Sequence, residues 1–148
     1  MASQQIATHR EDAEIFKGDE SLCKLKSLEL LDEIHMPRGL LPLEGLEEVG
    51  YNRTTGFVWL RQKKRKDHFF RAIRRNVSYE KEVTAFVEDH RMKRLTGVKS
   101  KEFFIWVTIS DIYIDERDLT KITFANPTGI SRTFPVSAFE EDHSSTKN

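Results

Sequence analysis

Eight bases crowd the segment between Arg61 and Arg75: Arg61, Lys63, Lys64, Arg65, Lys66, Arg71, Arg74 and Arg75. Cationic side chains neutralise phosphates, and aromatic rings such as Phe69 and Phe70 can stack on unpaired bases. The segment is therefore a candidate surface for a nucleic acid, an acidic protein or an anionic lipid. A solvated hairpin tip at Lys63–Asp67, with one of the two phenylalanines in the core, explains the same residues without a partner. The formal net charge of zero also argues against a dedicated nucleic-acid binder. Lys63-Lys64-Arg65-Lys66 has the form of a nuclear-targeting tetrad, a pattern common by chance.

Residue types that could catalyse or hold a metal are present but scattered. His9, His35, His68, His90 and His143 have no His or Cys at ligand spacing, and no H-E-x-x-H occurs, so spacing alone predicts no metal. There is no G-x-S-x-G elbow, and Cys23 falls inside an expected helix, where a thiol is more often packed than reactive. Ser110, Asp111 and His90 could be imagined as a triad, and Glu80 with Glu82 share a strand face, but any polar sequence offers such groupings. The seven glycines form no phosphate-cradling loop, so no cofactor is expected. No catalytic motif emerges, and an esterase-like hydrolase is a distant third reading.

The remaining chemistry is apolar. Phe57, Trp59, Phe103, Phe104, Trp106, Tyr113 and Phe124 are abundant for this length. Small barrels usually fill their interiors with such side chains. The sharper expectation is a pocket between helix and sheet, lined by Leu40, Leu41, Trp59, Phe104 and Trp106, that takes a hydrophobic or amphipathic small molecule. A non-enzymatic binding module is the leading reading. A protein, lipid or nucleic-acid interaction module built on the basic hairpin 61–75 is the alternative.

These residues need elements to position them. A chain of 148 residues suits one domain, expected over 19–140, between flexible tails at 1–18 and 141–148. Asp19 or Ser21 can cap a helix. Leu22, Leu25, Leu28, Leu31 and Ile34 recur along it, Leu30 widens the stripe, and Pro37 stops it. Strands follow. Val49 and Tyr51 alternate before an Asn52–Gly56 turn, and Phe57–Leu60 returns as a strand. Val77, Tyr79, Val83, Ala85 and Val87 alternate with polar residues. Phe103–Ile109 is apolar on both faces, which predicts cover on both sides, with the helix as one lid. Apolar positions then shift phase, predicting a bulge at Ser110–Asp111. Ile122 and Phe124 make another strand, and Thr133–Phe139 a last one, at an edge or bulge because of Pro135. The expected fold is mostly β: a small closed or partly open roll or barrel with one N-terminal amphipathic helix packed on it.

Charge is segregated along the chain. Residues 11–50 carry net −7, residues 51–101 net +10, and residues 102–148 net −4. Such polarity can steer a charged partner or hold two halves of a fold together. One cysteine excludes an intramolecular disulfide. The N-terminus has no apolar signal-like region, and nowhere do 18 apolar residues run together. An intracellular, cytoplasmic or nuclear monomer is expected, and the sequons at Asn52 and Asn76 then carry no glycan.

Four segments carry a family resemblance. Pro37-Arg38-Gly39-Leu40-Leu41-Pro42 resembles a PxGLLP signature, Leu95-Thr96-Gly97-Val98-Lys99 an L-x-G-V-K segment, Phe104-Ile105-Trp106-Val107 an (L/F)-x-W-(V/L) strand, and Phe134-Pro135-Val136-Ser137-Ala138-Phe139 a closing FPVSxF. In that order, over roughly residues 21–140, they resemble the plant domain-of-unknown-function family 538. The resemblance implies a plant protein with a compact, mostly β roll or barrel and an N-terminal helix, and no established activity. Members have been suggested to look like lipid-binding proteins of the bactericidal/permeability-increasing kind, and like chlorophyll-binding or hydrolytic proteins. This sequence departs from many members in lacking a secretory signal and in its heavier basic run.

Overall fold

The computed structural model describes residues 2–140, so the expected tail 141–148 lies outside the described residues. Residues 2–17 are not the free tail that their composition suggested. Helix α1 covers Ala2–His9 and strand β1 covers Glu14–Lys17. Strand β1 pairs antiparallel with β2 (Leu46–Asn52), and Ile6 is buried against Phe57 and Trp59. One apolar residue in a polar helix leaves almost no periodic signal; the surface that orders it lies across the sheet.

Helix α2 spans Glu20–Glu33, and Asp19 caps it, accepting from the Leu22 amide at 3.1 Å. Its buried residues are Cys23, Ser27, Leu30 and Leu31, followed by Ile34. The leucine stripe meets that face only at its C-terminal end, at Leu30, Leu31 and Ile34. A step of three residues turns a helix by about 300°, so the stripe slips by about 60° each time and walks off the core. Leu25 is consequently 47% exposed.

The strands form one antiparallel sheet. It comprises β1, β2, β3 (Phe57–Gln62), β4 (Lys66–Phe70), β5 (Arg75–Glu88), β6 (Arg91–Glu102), β7 (Ile105–Thr108), β8 (Asp111–Ile114), β9 (Lys121–Ala125) and β10 (Ser131–Pro135). The order is β1-β2-β3-β5-β6-β8-β9-β10, with β4 also pairing β5 and β7 also pairing β6. The long β5–β6 hairpin is the spine. On one side β3 and then β4 run along β5; on the other, β7 and then β8 run along β6. The sheet does not close, and α2 packs against β1 and β2, so the fold is a partly open β roll.

Irregularities curl the spine. Register shifts separate Tyr79 from Thr84 on β5. Opposite them Gly97 has φ 83°, and a β-carbon there would lie 2.3 Å from the Glu82 carbonyl oxygen. The expected bulge near Ser110 is present, but the extra residues sit on β6. Ile109 N–H donates to Val98 and Leu95 N–H to Ser110, so Leu95–Val98 spans the Ile109–Ser110 step.

The inner face carries the main core. Leu30 and Leu31 of α2, Val58 and Leu60 of β3, Tyr79 and Val83 of β5, and Phe124 of β9 all belong to it. Two short 3₁₀ turns bring distant segments together, Arg38–Leu40 and Val136–Phe139. A β-carbon on Gly39 would sit 2.4 Å from the Phe139 carbonyl oxygen, so glycine lets the two turns touch. The Tyr79 hydroxyl donates to the Leu40 carbonyl at 2.9 Å. The Phe139 ring lies 4.9 Å from Phe70 and 5.1 Å from Phe124.

The strand apolar on both faces and covered on both is β3, not Phe103–Ile109. Val58 and Leu60 face inward, while Phe57 and Trp59 lie beneath α1 on the outer face. Phe103 and Phe104 instead form the tip of the β6–β7 hairpin, away from α2. Composition cannot separate these two runs, because what covers a strand comes from elsewhere in the chain.

Candidate functional site

The pairing register sorts the end of the sheet near Phe103 into two faces. Phe70, Arg75, Glu102 and Ile105 stand in one inward row, and Val77, Ser100 and Val107 in the next. Inside this end of the roll lies a cavity of about 160 Å³. Its walls are Ile73, Val77, Val107, Ile109 and the rings of Phe124, Phe134 and Phe139, with the β9–β10 loop (Asn126 and Ile130) at one side. A dry cavity of roughly 150 Å³ holds one benzene-sized body, so this space suits a single ring or a short alkyl segment.

The cavity mouth is charged. Glu102 lies between two arginines: Arg75 Nε is 3.2 Å from one carboxylate oxygen and Arg132 Nε 3.2 Å from the other. Two guanidiniums share one carboxylate: Glu102 and Arg132 line the cavity, and Arg75 stands behind Glu102. Arg75 also lies over the Phe134 ring, 5.8 Å from its centre. Its Nε is buried and, despite the short approach to Glu102, has no aligned hydrogen-bond acceptor among the described residues. A buried unmatched donor is rare, and this one stands behind Glu102 and Phe134, two residues of the cavity wall.

The five residues expected to line a pocket do not converge. Leu40 and Leu41 are core residues beside the 3₁₀ turn. Trp59 is fully buried under α1, and its indole N–H donates to Glu48 at 3.3 Å. Phe104 is at the exposed hairpin tip, and Trp106 faces outward beside Lys101. The walls that do form come from β5, β6, β7, β9, β10 and the last turn. Phe134 and Phe139 belong to the closing FPVSxF segment, and Val107 to the (L/F)-x-W-(V/L) segment.

The basic run is divided as well. Lys63, Lys64 and Arg65 occupy the β3–β4 link, which is not a hairpin tip because both strands run the same way along β5. Lys66 pairs with Glu44 at 2.6 Å and Arg65 with Asp67 at 3.4 Å. Arg61 bridges Glu82 and Glu48. Arg71, Arg74 and Arg75 lie a strand length further on, where the β4–β5 turn stands beside the cavity end. The two groups therefore form separate surfaces.

Other candidate chemistry resolves differently. Ser110 Oγ donates to the Ala125 carbonyl, and Asp111 pairs with Arg91, so neither meets His90 as a triad would require. The buried Cys23 thiol donates to the Phe16 carbonyl, and burial pushes its pKa up. The fold does bring His35 beside Asp89 and His90, which are neighbours in sequence. His35, Asp89 and His90 offer ligand atoms within 4.8 Å of one another, a grouping that could hold a divalent metal. His35 Nδ1 lies 2.6 Å from Asp89, and this hydrogen bond holds the Asp89 carboxyl below its usual range. The His90 amide donates to the Ile34 carbonyl at 2.7 Å, tying the end of α2 to the β5–β6 turn.

Fold and site together define a class: a partly open antiparallel roll with an apolar chamber at one end, Glu102 and Arg132 at its mouth. A family profile described as "Protein of unknown function, DUF538" matches residues 27–140, so the chain belongs to that family. No curated protein and no solved structure matches the chain. Among the described residues no helix is long and apolar enough to cross a membrane.

Proposed function

We propose that this protein is a non-enzymatic binding module for a small amphipathic molecule with an acidic head. The apolar part occupies the chamber between Val107, Ile109, Phe124 and Phe139, and the acidic group meets Arg75 and Arg132. The observation that carries this reading is an apolar cavity with Arg132 and Glu102 in its lining and Arg75 just behind them, two guanidiniums on one carboxylate. Burying the alkyl or aryl part supplies affinity in proportion to area, and the charged rim orients the ligand. The volume limits the buried part to about one ring or its alkyl equivalent.

Native mass spectrometry of protein purified from its own tissue, followed by titration with hexanoate and benzoate, tests the reading. The expected result is a retained or titratable acidic ligand. Val107→Trp, which fills the chamber, should abolish binding, and Arg132→Gln should weaken it about tenfold. Binding that survives Val107→Trp unchanged would place the ligand elsewhere.

A further inference from the structure

The β6–β7 hairpin ends in an arrangement that folding alone does not explain. Its two-residue turn is Phe103-Phe104, 87% and 94% exposed, followed by Ile105 at 68% and Trp106 at 39%. Phe103 has φ 57°, a left-handed conformation that such turns usually leave to glycine or asparagine. An aromatic residue therefore takes an unfavourable backbone position and buries almost nothing in return. A strained, exposed residue of this kind points to a role outside the fold.

The surroundings say what kind of surface would take it. Residues 69–76, 99–108 and 130–132 supply the strands and turns at this end, and they carry six bases and one acid. The acid is Glu102, already held between Arg75 and Arg132. Arg74, Arg75, Lys101 and Phe103 border one surface depression, so the β4–β5 turn stands beside the aromatic tip. Across the outer face Phe69, Asn76, Lys101 and Trp106 fall in one register row, with Lys101 over the Trp106 ring at 5.7 Å. From tip to base the order is Phe103 and Phe104 beside the Arg74 turn, Ile105 level with Arg75, Trp106 with Lys101, then Lys99. Apolar side chains project furthest, and the long cations around them can lay their stems along the tip while their charges reach back to anionic headgroups, which suits a bilayer boundary that also favours tryptophan.

We propose that this hairpin is a membrane-docking element. Phe103, Phe104 and Ile105 enter the outer acyl region of an anionic bilayer, Trp106 lies at the interface, and Arg74, Lys99 and Lys101 engage headgroups. A protein partner fits less well. A stable interface buries roughly 800 Å² on each side, and a two-residue projecting turn presents far less flat surface than that. A bilayer closes around such a tip. The proposal uses residues other than the cavity walls and stands whether or not the cavity is occupied.

Flotation with vesicles of phosphatidylcholine and phosphatidylserine at about 7:3, against pure phosphatidylcholine, tests it. The full chain should float with the anionic vesicles, and the bound fraction should fall several-fold in 0.5 M salt, as interactions with exposed charges do. Phe103→Ser with Phe104→Ser should reduce vesicle affinity at least tenfold with the thermal melt unchanged, and Lys101→Glu several-fold. Tryptophan emission should shift to the blue on binding, and Trp106→Phe should remove that shift, because Trp59 is already buried. Failure to float, or floating that ignores the double serine variant, would overturn the proposal. So would self-association in sedimentation that the double variant dissolves while vesicles stay unbound, since the tip would then be a contact between copies.

Discussion

Phe57-Val58-Trp59-Leu60 and Phe104-Ile105-Trp106-Val107 are nearly the same tetrapeptide, and the molecule treats them in opposite ways. The first lies inside β3, sealed on both faces. Its tryptophan packs against Phe57, donates to Glu48, and lies so close to β2 that a β-carbon on Gly50 would be 2.2 Å from the ring. The second begins at a hairpin tip and is open along its outer face. Apolar composition is therefore not a measure of structural importance here. One stretch holds the roll together; the other is available to something else.

That contrast can be broken experimentally. The largest effect is expected at Trp59. Trp59→Ala empties a sealed site and removes a donor from Glu48, so it should lower stability by about 3–5 kcal/mol, while Trp106→Ala should stay within about 1 kcal/mol. Urea unfolding of both variants decides the matter, and equal losses would dissolve the contrast.

Next in size is Glu48, the acid beneath Trp59. Burial alone would push its carboxyl up, but Arg10 at 2.6 Å, Trp59 and Arg61 outweigh that and hold it below the usual range. With the folded value below the unfolded one near 4.3, its contribution is complete above that pH. It fades as the pH falls through the lower, folded value. Glu48→Gln should lose about 1–3 kcal/mol at neutral pH, and part of the acid-side slope should disappear with it. An unaltered slope in a pH series of melts would show that other carboxylates dominate.

The smallest effect is expected at the tip. Phe103→Ser with Phe104→Ser should change stability by no more than about 0.5 kcal/mol, as surface substitutions do. A substantial loss would mean that the tip is structural after all, and that its exposure has been misjudged as availability.

Local rules in the sequence foretold several features well. Asp19 caps α2, Pro37 follows the helix end, the alternation of Val77 to Val87 is the long β5, and the phase change before Ile112 marks a real irregularity. Each depends on neighbours a few residues away, where backbone sterics and side-chain period act directly. The four family segments were also legible, and two of them meet in space at Gly39 and Phe139. The site was not. Its walls come from strands separated by up to about sixty residues, and none of the five residues singled out for a pocket borders it.

By itself, then, the sequence determined the type and order of most elements, and the partition of bases and acids along the chain. Tertiary structure decided which apolar run is covered, that residues 2–17 join the sheet, and that Arg75 and Arg132 converge on Glu102. The reason is that periodicity reports which faces of an element are apolar, whereas burial depends on whether a distant surface arrives to cover them. For β3 that surface was α1; for the Phe103 hairpin the described residues supply none.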